Sequence, residues 1–191
     1  LMLPVEVRIL PTYEAVANAA LPLQWLLDVL DVGAWIGALT GHRVEITVEW
    51  GRAVRPEQVE QALAEHPNAR GVLVQASETS TAAVHPVEQL ATITRRSQAL
   101  LVVDGITAVG VYSIPMDQWG IDVLLTGSQK ALMLPPGLAV IALSARAWER
   151  VAQTKQPRFY FDLTRERHSQ ASLTTAWTPA ISLVIGLREA L

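Results

Sequence analysis

Three polar clusters in this chain each follow directly on an apolar run: Ser77-Glu78-Thr79-Ser80-Thr81 after "GVLVQA", Asp104 after "LLVV", and Thr126-Gly127-Ser128-Gln129-Lys130 after "DVLL". Together they supply an amine, a carboxylate and a set of hydroxyl and amide donors. A lysine that is partly desolvated gives up its proton readily and becomes a nucleophile toward an aldehyde. A carboxylate can keep a pyridine nitrogen protonated, and the neutral donors suit a phosphate. That set fits pyridoxal 5'-phosphate (PLP). Taken alone, each cluster has a plainer reading: hydroxyls that cap the next helix, an aspartate that turns the chain, and a lysine with its stem on apolar surface and its ammonium in water. Their convergence at three strand ends favours a site. The string "GSQKA" is not a phosphate loop of the GxxxxGK[ST] type, because those glycines are absent and alanine follows the lysine.

The elements that would position these residues alternate between strand and helix. "VEITVEW" (residues 44–50) reads as a strand, and "RPEQVEQALAEHP" (residues 55–67) as an amphipathic helix with Val59, Ala62 and Leu63 on one side. "RGVLVQAS" is a continuous apolar strand of the kind buried on both faces of a parallel sheet. "HPVEQLATITRRSQA" is a second helix, "LLVVDG" a strand, "MDQWG" a short turn or helical piece, "IDVLLTG" a strand, and "GLAVIALSARAWERV" a strand followed by a helix. The pattern predicts an α/β fold with right-handed crossovers, and ligands in such sheets bind beyond the carboxyl ends of the strands. Residues 1–42 are apolar with few clear caps, and no internal repeat or linker stands out.

Half of the 191 residues are apolar, enough for a sizeable core, and the net charge of −3 gives no footprint for nucleic acid. With no cysteine, disulfides, thiolate metal sites and thiol nucleophiles are excluded within these residues, and a reducing compartment, the cytoplasm, is the expected location. His42, His66, His85 and His168 are scattered without metal-site spacing and read as ordinary surface or satisfied residues, so no metal is expected. "ANAALPLQWLLDVLDVGAWIGAL" contains Pro22, Asp28 and Asp31, and reads as buried instead of membrane-spanning.

The segments "VLVQASETSTAAVHPVEQL", "LLVVDGITAVG", "PMDQWGIDVLLTGSQKALMLPPGLAVIALSARAWE" and "TPAISLVIGLREAL" resemble, in order, the class V aminotransferases of PLP fold type I, a group that includes serine–glyoxylate and alanine–glyoxylate transaminases. The resemblance covers about residues 44–191 and is most specific at "GSQKALMLPPG". It implies that Lys130 is the Schiff-base lysine, Asp104 the partner of the pyridine nitrogen and Gln129 a ligand of the cofactor phosphate. It also implies that Thr79 lies near the phenolic oxygen and that Ile106 packs on the ring. Trp35, in "DVGAWIGALTGHRVEI", matches a ring-stacking aromatic, with a core position as the alternative. Family members are homodimers with sites at the subunit interface, and Thr178 in "TAWTPA" matches a hydroxyl given to the partner's phosphate.

Some features depart from the family pattern. "YEAVANAALP" resembles the early helix whose N-terminus holds the phosphate, yet "VRILPT" in front of it lacks the glycines of that turn. The sequence stops at "GLREAL", ahead of the family's small C-terminal domain and its substrate-binding arginine. The expectation is therefore one partial PLP-binding large domain over residues 1–191, divergent over 1–42 and family-like over 43–191. Its activity would be amino transfer from serine or alanine to a 2-oxo acid such as glyoxylate. A catalytically silent remnant serving only in association, or a PLP-dependent lyase of the same fold, would also carry these residues.

Overall fold

A computed structural model of the chain describes residues 5–11, 43–154 and 162–191. Six strands form one sheet: β1 (Val5–Pro11), β2 (Arg43–Val48), β3 (Ala69–Gln75), β4 (Leu100–Asp104), β5 (Val123–Gly127) and β6 (Ala139–Leu143), in the order β2-β1-β3-β4-β5-β6. All neighbours pair parallel except β5 with β6, which pair antiparallel. The helices are α1 (Pro56–Glu65), α2 (Val87–Thr94), α3 (Met116–Trp119), α4 (Ala145–Gln153), α5 (Leu163–Ala171) and α6 (Ile181–Ala190). The mostly parallel α/β architecture is the one expected from the alternating pattern. β1 is a strand that the pattern did not reveal; it takes in Val7–Pro11, residues aligned above with the stretch in front of the phosphate-binding helix.

One face of the sheet carries the core. Val59, Ala62 and Leu63 of α1 and Leu90, Ala91 and Ile93 of α2 are buried with Val72 and Val74 of β3 and Leu101 and Val103 of β4. Pro56 starts α1 at a position where its missing N–H is harmless. α2 is shorter than the expected 85–99 segment. Pro86 stands at its N-cap, and Ser97 ends it, donating through Oγ to the Thr94 carbonyl and accepting the Ala99 N–H at 3.1 Å. Gly120, at φ +80°, closes α3 in the left-handed conformation that favours glycine, and Ile121 returns to the core at 1 % exposure.

At the amino ends of β4 and β5, Asp122 is buried and saturated with donors. Its carboxylate accepts the Leu101 N–H at 2.9 Å, the Ser144 hydroxyl at 2.9 Å, and Arg146 through Nε at 3.1 Å and Nη2 at 2.9 Å. Arg146 also donates to the Ala99 carbonyl. Ser144, in turn, caps α4 by accepting the Ala147 N–H. β6 is the strand expected in "GLAVIALSARAWERV" and is exposed along most of its length. Among the described residues, no helix is long and apolar enough to cross a membrane.

Candidate active site

Register brings the carboxyl ends of β3, β4 and β5 together: Gln75 pairs with Asp104, and Asp104 with Leu125. Paired residues share a face, so Asp104 stands with Gln75, Leu125 and Val102 on the half-buried face, opposite the fully buried Val103 and Leu101. The chain turns at once. Asp104 Oδ1 accepts the Ile106 N–H at 2.9 Å, a side-chain turn of the kind aspartate makes with the backbone two residues on. The Asp104 carbonyl takes the Ala76 N–H at 2.7 Å, and the Gly105 N–H donates to Leu125 at 2.8 Å. Asp104 Oδ2 receives no hydrogen bond from the described residues. Burial raises the Asp104 pKa above the ordinary carboxylate value; the Ile106 N–H opposes that rise, and the like charge of Glu78 adds to it.

The cluster after β3 does not cap the next helix, because α2 begins behind Pro86 with no side-chain cap. It folds on itself. The Glu78 carboxylate accepts the Ser80 N–H at 2.9 Å and the Ser80 hydroxyl at 2.7 Å, while Thr79 is left exposed. His85 lies behind the cluster at 4 % exposure, its Nδ1 accepting the Val54 N–H at 3.1 Å and its backbone N–H donating to the Ala76 carbonyl at 3.0 Å. Burial lowers its pKa and the Glu78 carboxylate partly offsets this. It is a satisfied core histidine, as the sequence suggested.

Ser128 at the end of β5 holds the "SQKALMLPPG" loop together. At 1 % exposure its hydroxyl donates to the Pro135 carbonyl at 2.7 Å and accepts the Leu138 N–H at 3.2 Å, so this donor is already committed. Thr126 alternates to the face opposite Leu125, and its Oγ1 is buried without a hydrogen-bond partner among the described residues. Gln129 and Ile106 converge over Gly127: a Cβ there would lie 2.7 Å from Gln129 Oε1 and 3.1 Å from Ile106 Cδ1. Lys130 follows in a tight turn, its carbonyl accepting the Met133 N–H at 2.9 Å. Although its sequence context suggested seclusion, Lys130 is exposed, and no described residue pairs with its ammonium.

Asp104, Ile106 and Gln129 are thus gathered at one rim with Lys130 beside them. Thr79 and Thr178 are exposed, and no hydrogen bond among the described residues ties them to that group. Trp35 and the "YEAVANAALP" segment lie outside the described residues. Sequence reasoning missed Thr107 and Tyr112. The Thr107 hydroxyl donates to the Ser77 carbonyl at 3.0 Å and the Tyr112 hydroxyl to the Ala76 carbonyl at 3.1 Å. Both stand a few residues after Asp104, where a hydroxyl following the acid was the one available signal.

A parallel sheet with an acid at the end of one strand and a lysine just past the end of its neighbour is the architecture of the fold type I PLP enzymes. The chain belongs to the class V aminotransferase family, whose pattern it matches over residues 35–191. It is 34 % identical over 169 residues to the serine–glyoxylate aminotransferase of Methylorubrum extorquens, covering 82 % of this chain and 42 % of that protein. It is 37 % identical over 160 residues to a protein of Anabaena cylindrica called the soluble hydrogenase 42 kDa subunit, again covering 82 % of this chain and 42 % of that one. The crystal structure of alanine–glyoxylate aminotransferase from Nostoc sp. superposes with a TM-score of 0.78 at 27 % identity, over 98 % of this chain and 47 % of that chain. The chain therefore spans less than half the length of these relatives. The cofactor of the family is PLP.

Proposed function

We propose that the protein is a PLP-dependent aminotransferase, transferring an amino group from a small amino acid such as serine or alanine to a 2-oxo acid such as glyoxylate. The observation that carries this reading is the pairing of a half-buried carboxylate, Asp104, with Ile106 and Gln129 gathered over Gly127, three residues before Lys130. This donor set fits the cofactor. The open Oδ2 of Asp104 suits a protonated ring nitrogen, the Ile106 side chain an aromatic face, and the Gln129 carboxamide a phosphate oxygen. Bound there, PLP would supply an aldehyde that condenses with amines and a ring that withdraws electrons.

In this reading the exposed Lys130 would hold the cofactor through its amine and, when free, its Nζ would accept and return a proton of the substrate. Asp104 Oδ2 would accept a hydrogen bond from the protonated ring nitrogen. A cation at Oδ2 would also offset the like charge of Glu78. Thr79 is assigned to the phenolic oxygen, Trp35 to the ring face, and Thr178 to the phosphate of a partner subunit in a homodimer. Residues 43–191 then belong to the cofactor-binding large domain, with 1–42 its divergent part. Borohydride reduction of the full-length protein with PLP, followed by peptide mapping, tests the reading together with an assay of serine and glyoxylate turnover. Label on Lys130 and keto-acid formation are expected; label on Lys155, the only other lysine, or no turnover would refute it.

A further inference from the structure

We infer that Thr107 is a positioning residue, whose hydroxyl pins the Asp104–Ile106 turn to the end of β3 and so fixes the carboxylate that faces the cofactor. The inference rests on the function proposed above.

Past the Asp104 carbonyl, which takes the Ala76 N–H, the backbone ladder between β3 and β4 stops. Beyond it the two strand ends are held by side chains. Thr107 Oγ1 donates to the Ser77 carbonyl at 3.0 Å and lies 2.7 Å from Ser77 Oγ. A hydroxyl has a single proton, so with that proton on the carbonyl, Thr107 accepts from Ser77, and the two bonds close a ring across the gap. Tyr112 adds a second tie from the same loop to the Ala76 carbonyl. Ile106 therefore sits between two fixed points: its N–H on Asp104 Oδ1 and the adjacent Thr107 on Ser77. Ser77 in turn begins the Glu78–Thr81 turn that carries Thr79. One hydroxyl thus couples the acid, the residue packed near Gly127 and the exposed threonine.

Thr107→Val keeps the shape and removes the bonds, whereas Thr107→Ser keeps the hydroxyl. Loss of one such bond, of the ordinary neutral kind, should weaken PLP binding roughly two- to tenfold, read from visible absorbance titrations. It should also shift the pH midpoint of the bound cofactor's absorption and speed hydrogen exchange at the Ile106 N–H in the cofactor-free protein. Thr107→Ser should restore all three. A Thr107→Val protein with unchanged affinity, pH midpoint and Ile106 exchange overturns the inference, even if its melting temperature falls, because that pattern belongs to a merely structural bond. If the parent protein binds no PLP, the proposed function fails, and the Ile106 exchange comparison still decides whether Thr107 restrains Asp104.

Discussion

Replacing Gly127 by alanine should separate the site from its scaffold. Gly127 does not adopt a positive φ, so alanine meets no left-handed strain there. The added methyl would lie 2.7 Å from Gln129 Oε1, 3.1 Å from Ile106 Cδ1 and 3.3 Å from Gln129 Cδ. Comfortable contacts of this kind begin nearer 3.5 Å, so the carboxamide must retreat by roughly 0.5–1 Å. It is the far end of a flexible side chain, and an off-rotamer shift costs about 0.5–1.5 kcal/mol. Alanine also removes backbone freedom from the unfolded chain, a gain of about 0.4–1 kcal/mol. The two nearly cancel, and the melting temperature should stay within about 4 °C of the parent. Function should not survive as well. A hydrogen bond from Gln129 to a charged phosphate is worth about 1.5–3 kcal/mol, so its loss raises the PLP dissociation constant roughly ten- to a hundredfold. Titration of PLP into Gly127→Ala, Gln129→Ala and the double variant, followed by visible absorption, tests this. The double variant should bind no worse than Gln129→Ala, since both changes remove the same bond. Parent-like binding by Gly127→Ala beside a crippled Gln129→Ala would refute the geometry, and a fall of more than about 10 °C in melting temperature would refute the energetics.

Lys130→Ala should abolish transamination while leaving the thermal melt nearly unchanged, because the side chain is exposed and unpaired among the described residues. Asp104→Asn should slow turnover by orders of magnitude, each tenfold being about 1.4 kcal/mol of barrier, yet stabilise the cofactor-free protein at neutral pH. Burial raises the folded pKa of Asp104 above its unfolded value, so the parent loses stability as pH rises through that window. The advantage of Asn should accordingly shrink as melts are taken down to about pH 4. Arg146→Ala leaves the Asp122 carboxylate, 5 % exposed, without its main counter-charge. A loss of about 3 kcal/mol in denaturant unfolding is expected, the lower end of the range for a broken buried pair because Arg146 is itself 33 % exposed.

The parts of this molecule legible in the sequence are those written in local periodicity. β3, β4 and β5 follow from short apolar runs, and the burial of Val59, Ala62 and Leu63 follows from helical spacing. The placement of Asp104 and Gln129 at one rim was legible because strand ends in a parallel sheet fall together, whichever strands are neighbours. β1 was not: its partners begin at Arg43 and Ala69, far along the chain, and pairing at that distance leaves no local mark. Ser128 looked like a free donor because nothing local shows that the chain returns at Pro135 and Leu138 to use it up. α5 is polar all round and offers no apolar stripe, and Asp122 meets Arg146 across 24 positions. Thr107 was hidden for the same reason, its partner Ser77 lying 30 residues earlier.

β4 is only five residues long, about 17 Å, and it begins where the Asp122 anchor grips the Leu101 N–H and ends in Asp104. The same division holds for β5, which follows Asp122 and ends at Gly127. The Asp122 anchor and the candidate site thus stand at opposite rims of the same strands, so a change at the anchor and a change at the site fall on separate sets of bonds. Substitutions among Ser77–Thr81, Ile106 and Gln129 fall at the carboxyl rim and leave in place the bonds that Asp122 makes with Leu101, Ser144 and Arg146.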